Sequence, residues 1–136
     1  MIENETGIDF ENGIVTVDGV SLGPGYSFAD FLLTRLYDHQ DENRFFWLKG
    51  NKPIGESRFG VGLAFRDGTL STLELLCVDA EFTWETEEKR KDLHDRILRR
   101  YGINEEAQFR WGSVSSEFDR KSCISSIVFA YRLVTR

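Results

Sequence analysis

Residues 57–78 read SRFGVGLAFRDGTLSTLELLCV, and the Asp67-Gly68 pair decides how the rest is read. A two-residue turn needs positive φ at both positions, which Asp-Gly tolerates, so two strands should run back from it as a hairpin. With Arg66 facing Thr69, Phe65 opposes Leu70, while Gly62 and Gly60 oppose Leu73 and Leu75, small residues where large ones cross. A helix or another layer is expected over those glycines. The GxG spacing does not make a phosphate loop, because both glycines lie inside a strand and no helix follows them.

Upstream, Asn12-Gly13 lies between IDFE and IVTV, and Asp18-Gly19 repeats the device, so residues 7–22 read as a small meander. Gly-Pro-Gly at 23–25 ends it. Ser27 is the expected N-cap of a helix over Phe28–Tyr37, with Asp30 in the capping position and Tyr26 packing on Phe31. DHQDEN, 38–43, is a polar connection; Arg44–Leu48 reads as a strand and Gly50–Pro53 as a turn.

Downstream, Thr83 is the expected N-cap of a second helix over Trp84–Tyr101, closed by Gly102. Its charges follow the macrodipole, with Glu85, Glu87 and Glu88 at the start and Arg96, Arg99 and Arg100 at the end. Acid-first pairs are expected at Glu85/Lys89, Glu87/Lys91, Asp92/Arg96 and Asp95/Arg99, and Leu93, Ile97, Leu98 and Tyr101 form the inward stripe. AQFRW puts Ala107, Phe109 and Trp111 on one face; the apolar phase changes after Gly112, which reads as a bulge. Asp119–Ser122 is a turn, and residues 125–134 return as a strand apolar on both faces, hence central. The fold class is therefore α+β: a mostly antiparallel sheet with two α-helices packed on one face, in the order β-β-β-α-β-β-β-α-β-β, as a single domain over residues 1–136.

The chain of 136 residues is 40% hydrophobic and holds eleven Phe, enough for a core without metal or disulfide. Its net charge of −6 argues against unaided binding to nucleic acid or an anionic membrane. Residues 1–57 carry the whole excess, ten acids against four Lys and Arg, while the remainder balances at thirteen of each. That asymmetry suits a cationic partner, and it also serves solubility. MIENETG lacks a basic stretch followed by an apolar one, and no apolar run approaches a membrane span, so a cytoplasmic protein is expected. Cys77 and Cys123 have neither zinc nor redox spacing and read as two buried thiols.

No catalytic set, cofactor or metal is expected. His94 lies beside the apolar stripe of the second helix and reads as a packed or half-exposed structural residue. His39, near Asp38, Asp41 and Glu42, offers only a weak metal pattern. Ser113, Ser115 and Ser116 sit in a strand without a nucleophile elbow, and Cys123 has no base beside it in sequence. The candidate binding residues are Asp38, Asp41 and Glu42, followed by an aromatic strand, and Asp79, Glu81 and Trp84 at the start of the second helix. Acids beside aromatics suit docking on a basic protein surface.

The run EKRKDLHDRILRRYG through FRWGSVSSEFDRKSCISSIVFAY resembles small single-domain bacterial proteins of the immunity type encoded beside polymorphic toxins. The residues that carry the resemblance are Trp111, Gly112, Asp119, Lys121, Ser122, Ile127 and Tyr131. It implies a non-catalytic protein that binds and blocks a toxin domain made by its own cell. The alternatives are a small hydrolase or metal-dependent enzyme using His39 or His94, and an apolar-ligand carrier with a pocket between sheet and helices.

Overall fold

The computed structural model describes residues 7–40 and 45–133. Along the chain come β1 (Ile8–Asp9), β2 (Ile14–Val17), β3 (Val20–Leu22), α1 (Phe28–Leu32), β4 (Phe46–Trp47), β5 (Lys52–Ile54), β6 (Ser57–Arg66) and β7 (Thr69–Cys77). Then follow α2 (Glu87–Arg100), β8 (Glu106–Phe109), β9 (Gly112–Asp119) and β10 (Ile124–Tyr131). This is the expected α+β order, with β5 and β8 as short additional strands. β1–β3 form a three-stranded sheet, and the larger sheet runs β4-β6-β7-β10-β9-β8, with β5 also on β6. Every pairing is antiparallel, and β10 is central, as its two apolar faces imply.

The Asp67-Gly68 turn forms as expected, with Arg66 opposite Thr69 and Phe65 opposite Leu70. Beyond that point the expected register fails by one residue, because an irregularity follows Ala64 and Gly62 and Gly60 oppose Glu74 and Leu76 instead. Ser71 is the extra residue, and its hydroxyl donates to the Ala64 carbonyl at 3.1 Å. The physical reason is facial: the bulge keeps Leu70 inside and still aligns Leu73 and Leu75 with Leu63 and Val61, so all five side chains reach the core. Fully burying each such side chain contributes about 1.5–3 kcal/mol. Gly60 and Gly62 consequently face outward, and no helix among the described residues covers them. What lies over Gly62 is the Trp47 indole from the neighbouring strand, which a Cβ would approach to 2.9 Å.

Both helices lie on the core face. Phe31 of α1 is fully buried against Phe46 and Phe65, and Leu98 of α2 is likewise enclosed. α1 is shorter than the expected Phe28–Tyr37. Ser27 does cap it, accepting from Asp30 N–H at 3.0 Å, but Thr34 donates to the Phe31 carbonyl at 2.7 Å and accepts from Leu36 N–H. Those bonds take backbone groups that a longer helix would use. Tyr26 meets Phe65, not Phe31. α2 starts three residues late, because the Thr86 hydroxyl accepts from Thr83 N–H at 2.9 Å and closes a turn over 83–86.

Three further expectations are corrected. The Asn12-Gly13 connection is a four-residue turn over Phe10–Gly13, held by Asp9 accepting from the Asn12 backbone and side-chain amides. The phase change at Gly112 is a hairpin turn, not a bulge: Phe109 pairs with Gly112 around Arg110 and Trp111. The ion pairs of α2 are Arg90–Glu87 and Lys91–Asp95, joined by Lys91–Glu105 and Arg100–Glu56, rather than the four acid-first pairs. The reason lies in the packing, since Glu87 turns inward and Lys91 is drawn between Asp95 and Glu105.

Candidate functional site

The β7–α2 connection carries three of the expected binding residues, and its geometry is set by contacts at both ends. At the β7 end, Asp79 accepts from Arg58 N–H at 2.9 Å. Burial opposes its charge, but this bond, with Ser57, Cys77 and the Arg58 charge, holds the carboxyl below the usual range. Asp79 is thus a clamp between β6 and β7. At the other end, Glu87 is 5% exposed and accepts from Ser125 N–H at 2.8 Å, while the Ser125 hydroxyl donates to the Glu87 carbonyl at 2.9 Å. Arg90 pairs with Glu87 at 3.3 Å and lies over the Phe82 ring, 4.8 Å from its centroid.

Between these anchors Trp84 is 74% exposed. Its side chain is free of the core although its backbone is held: the Cys123 thiol donates to the Trp84 carbonyl at 3.2 Å. Cys123 occupies a left-handed turn position, and Ile124 beside it is also exposed. An apolar patch is therefore presented on a fixed backbone, flanked by exposed Glu81, Glu85 and Glu88. Asp38 sits elsewhere, after α1, 3.9 Å from Lys49, and no described contact joins it to the Trp84 patch. Asp41 and Glu42 lie outside the described residues.

α2 crossing β9 creates a second acidic feature that sequence reading missed. A groove of about 570 Å³ is lined by Glu88, Asp92, Glu105, Glu106 and Glu117, against Lys91 and Arg120. Lys91 is already engaged by Asp95 at 2.7 Å and Glu105 at 3.0 Å. Burial works against charge on both Lys91 and Asp95, yet their contact prevails, keeping Lys91 above and Asp95 below its ordinary range. No sequence signal joins Glu88 to Glu106 or Glu117, since only the crossing of helix and strand brings them together.

The histidines have different surroundings. His94 is fully buried, and its Nε2 accepts from Cys77 N–H at 3.0 Å. Burial, followed by the Arg90 charge, lowers its pKa to about 4, so it is neutral near pH 7. A substrate cannot reach it. Burial likewise raises the Cys77 thiol above its ordinary value, which opposes thiolate formation. Cys123 and His94 make separate contacts, with Trp84 and Cys77 respectively, and do not form a pair. His39 is exposed, in a left-handed backbone conformation, with its ring against Tyr37. Among the described residues, no three of His, Cys, Asp and Glu are gathered closely enough to hold a metal ion. Phe28, Phe31, Phe46 and Phe65 pack on one another with centroids 5.2–6.2 Å apart. No helix among the described residues is long and apolar enough to cross a membrane.

Comparison with protein-family models, with curated proteins and with solved structures finds no match.

Proposed function

We propose that this protein is a non-catalytic, cytoplasmic binding protein that occludes a basic partner, in the manner of a bacterial immunity protein blocking a cationic toxin domain. The observation that carries this reading is the exposed Trp84, held at its backbone by Cys123 and neighboured in sequence by the exposed Glu81, Glu85 and Glu88. An isolated exposed indole gains nothing from water, but on a partner it supplies a large apolar anchor at small entropic cost. The acids around it, continued by the groove along α2, supply long-range attraction that speeds encounter with a cation-rich surface. The two anchors of the β7–α2 connection leave little backbone ordering to be done on binding.

The test uses a basic protein domain encoded by a neighbouring gene, with association followed by stopped-flow mixing. Trp84→Ala should speed dissociation, and Glu81→Lys with Glu88→Lys should slow association and flatten its dependence on salt, with circular dichroism unchanged. Absence of a complex with any basic neighbour, or unchanged kinetics in all three substitutions, rejects the reading. For the enzyme alternative, His94 is enclosed in the core while His39 is exposed, and for the carrier alternative, Phe28, Phe31, Phe46 and Phe65 pack on one another.

A further inference from the structure

Among the described residues β8 has a neighbouring strand on one side only, and its outward backbone groups can be identified. In an antiparallel ladder, residues alternate between bonding one neighbour and facing the other way. Ser116 N–H donates to the Glu105 carbonyl, which makes Glu105, Ala107 and Phe109 the residues bonded to β9. Arg132 N–H donating to the Trp111 carbonyl gives the same phase from the far side, since it turns Ser113 toward β10 and away from Gln108. Gln108 therefore points both its N–H and its C=O outward, as Glu106 does its C=O. The Glu106 N–H is used locally, on the Asn104 carbonyl at 2.8 Å.

Open edges invite strand addition, and natural sheets usually blunt them with proline, bulges or charge. The opposite edge is blunted: β5 contains Pro53, and in β4 the Trp47 carbonyl accepts from Gln40. β8 has no such guard except Glu106. Read against itself in the antiparallel sense, however, Glu106-Ala107-Gln108-Phe109-Arg110 is self-complementary. Centred on Gln108, it sets Ala107 opposite Phe109 of a second copy and brings Glu106 to Arg110, the first residue of the β8–β9 turn. Moving the centre to Ala107 sets Arg110 against Asn104, and moving it to Glu106 sets Glu106 against Glu106. Glu106, Gln108 and Arg110 are all exposed, and the Gln108 amide already holds the Glu106 carboxylate at 3.0 Å on the outer face.

We propose that two copies of this chain associate through β8, edge to edge and antiparallel about Gln108, so that their larger sheets become one continuous sheet. Two backbone hydrogen bonds form at the Gln108 pair, and two Glu106–Arg110 pairs fix the register. The contact is small, so association is weak and concentration-dependent. It uses Glu106, which also lines the acidic groove, but not Trp84, and its failure would leave the proposed function standing.

Sedimentation velocity on the full chain, over a series reaching the high micromolar range, tests this. The wild type should shift from monomer to dimer. Gln108→Pro removes an outward N–H that the β8–β9 ladder does not use, so the variant should stay monomeric with an unchanged circular dichroism spectrum. Glu106→Arg alone and Arg110→Glu alone should each weaken association roughly tenfold, and the two combined should restore it by exchanging the charges. If Gln108→Pro disturbs the fold, the charge exchange decides. A wild-type monomer throughout, a dimer untouched by Gln108→Pro in a folded protein, or an exchange variant no better than its parents overturns the proposal.

Discussion

The indole N–H of Trp111 donates to the carbonyl oxygen of Phe10 at 2.8 Å, joining residues 101 positions apart. Tyr131 reinforces the contact, its hydroxyl donating to the Gly13 carbonyl at 2.8 Å, so the four-residue turn of the first sheet is docked at one end on the β8–β9 turn and at the other on β10. Phe109 and Phe129 both stack with the indole, at centroid distances of 5.3 and 5.9 Å. Trp111→Phe keeps much of the ring but leaves a buried carbonyl unpaired, and should cost about 1–3 kcal/mol in urea unfolding. Tyr131→Phe should cost about as much. Because both bonds hold the same turn, the double variant should lose less than the two costs added together.

Gly112 should accept no side chain. Its φ is 148°, and a Cβ there would collide with the Ala130 carbonyl oxygen. Gly112→Ala must therefore push β9 from β10 in the centre of the sheet, at a cost of at least about 3 kcal/mol. A midpoint in chemical denaturation within error of wild type would contradict this account.

His94 makes stability depend on pH. Its folded-state pKa, about 4, lies below the unfolded value of 6.5, first because it is buried and then because of Arg90. Lys91 also disfavours its proton and Asp95 favours it, while Cys77 presents a backbone N–H from β7. The unfolded chain thus binds a proton that the folded chain refuses. The stabilisation is complete above pH 6.5 and is lost as pH falls toward 4, on the order of 3 kcal/mol in all. His94→Gln retains an acceptor for Cys77 N–H and should flatten that part of the stability profile; equal slopes in the two proteins between pH 4 and 6.5 would refute it.

Glu87 should matter to folding more than its neighbours at the start of α2. Glu87→Ala strands the Ser125 N–H and removes the partner of Arg90, and should cost about 2–4 kcal/mol, whereas Glu87→Gln, which keeps an acceptor, should cost less. Glu88→Ala, at an exposed position, should stay within about 0.5 kcal/mol of wild type. Thermal melts of the three variants separate these outcomes.

Local chemistry made much of this architecture readable in advance. Asp18-Gly19 and Asp67-Gly68 adopt positive φ at both positions and turn their hairpins as the dipeptides require, and Ser27 and Gly102 bound their helices. The apolar period of β10 announced a central strand. These features depend on neighbours in sequence, so the sequence contains their cause. The Ser71 bulge was not readable, because the one-residue slip gains its advantage only when Leu63 and Val61 are already in place opposite.

The candidate site divides in the same way. Sequence placed Trp84 beside acids, and the structure leaves it exposed. It did not show that Asp79 is committed to Arg58 N–H, that Glu87 is buried, or that Glu88, Glu105 and Glu117 line one groove.

What the sequence determined by itself, then, is the class of fold, the strong turns, the central strand and the excess of negative charge, since each follows from residues a few positions apart. What only the tertiary structure decided is which acids remain free, which histidine is enclosed and which strand is left as an open edge. Those depend on distances between segments far apart in the chain, and such distances exist only once the sheet has closed and α2 has packed across it.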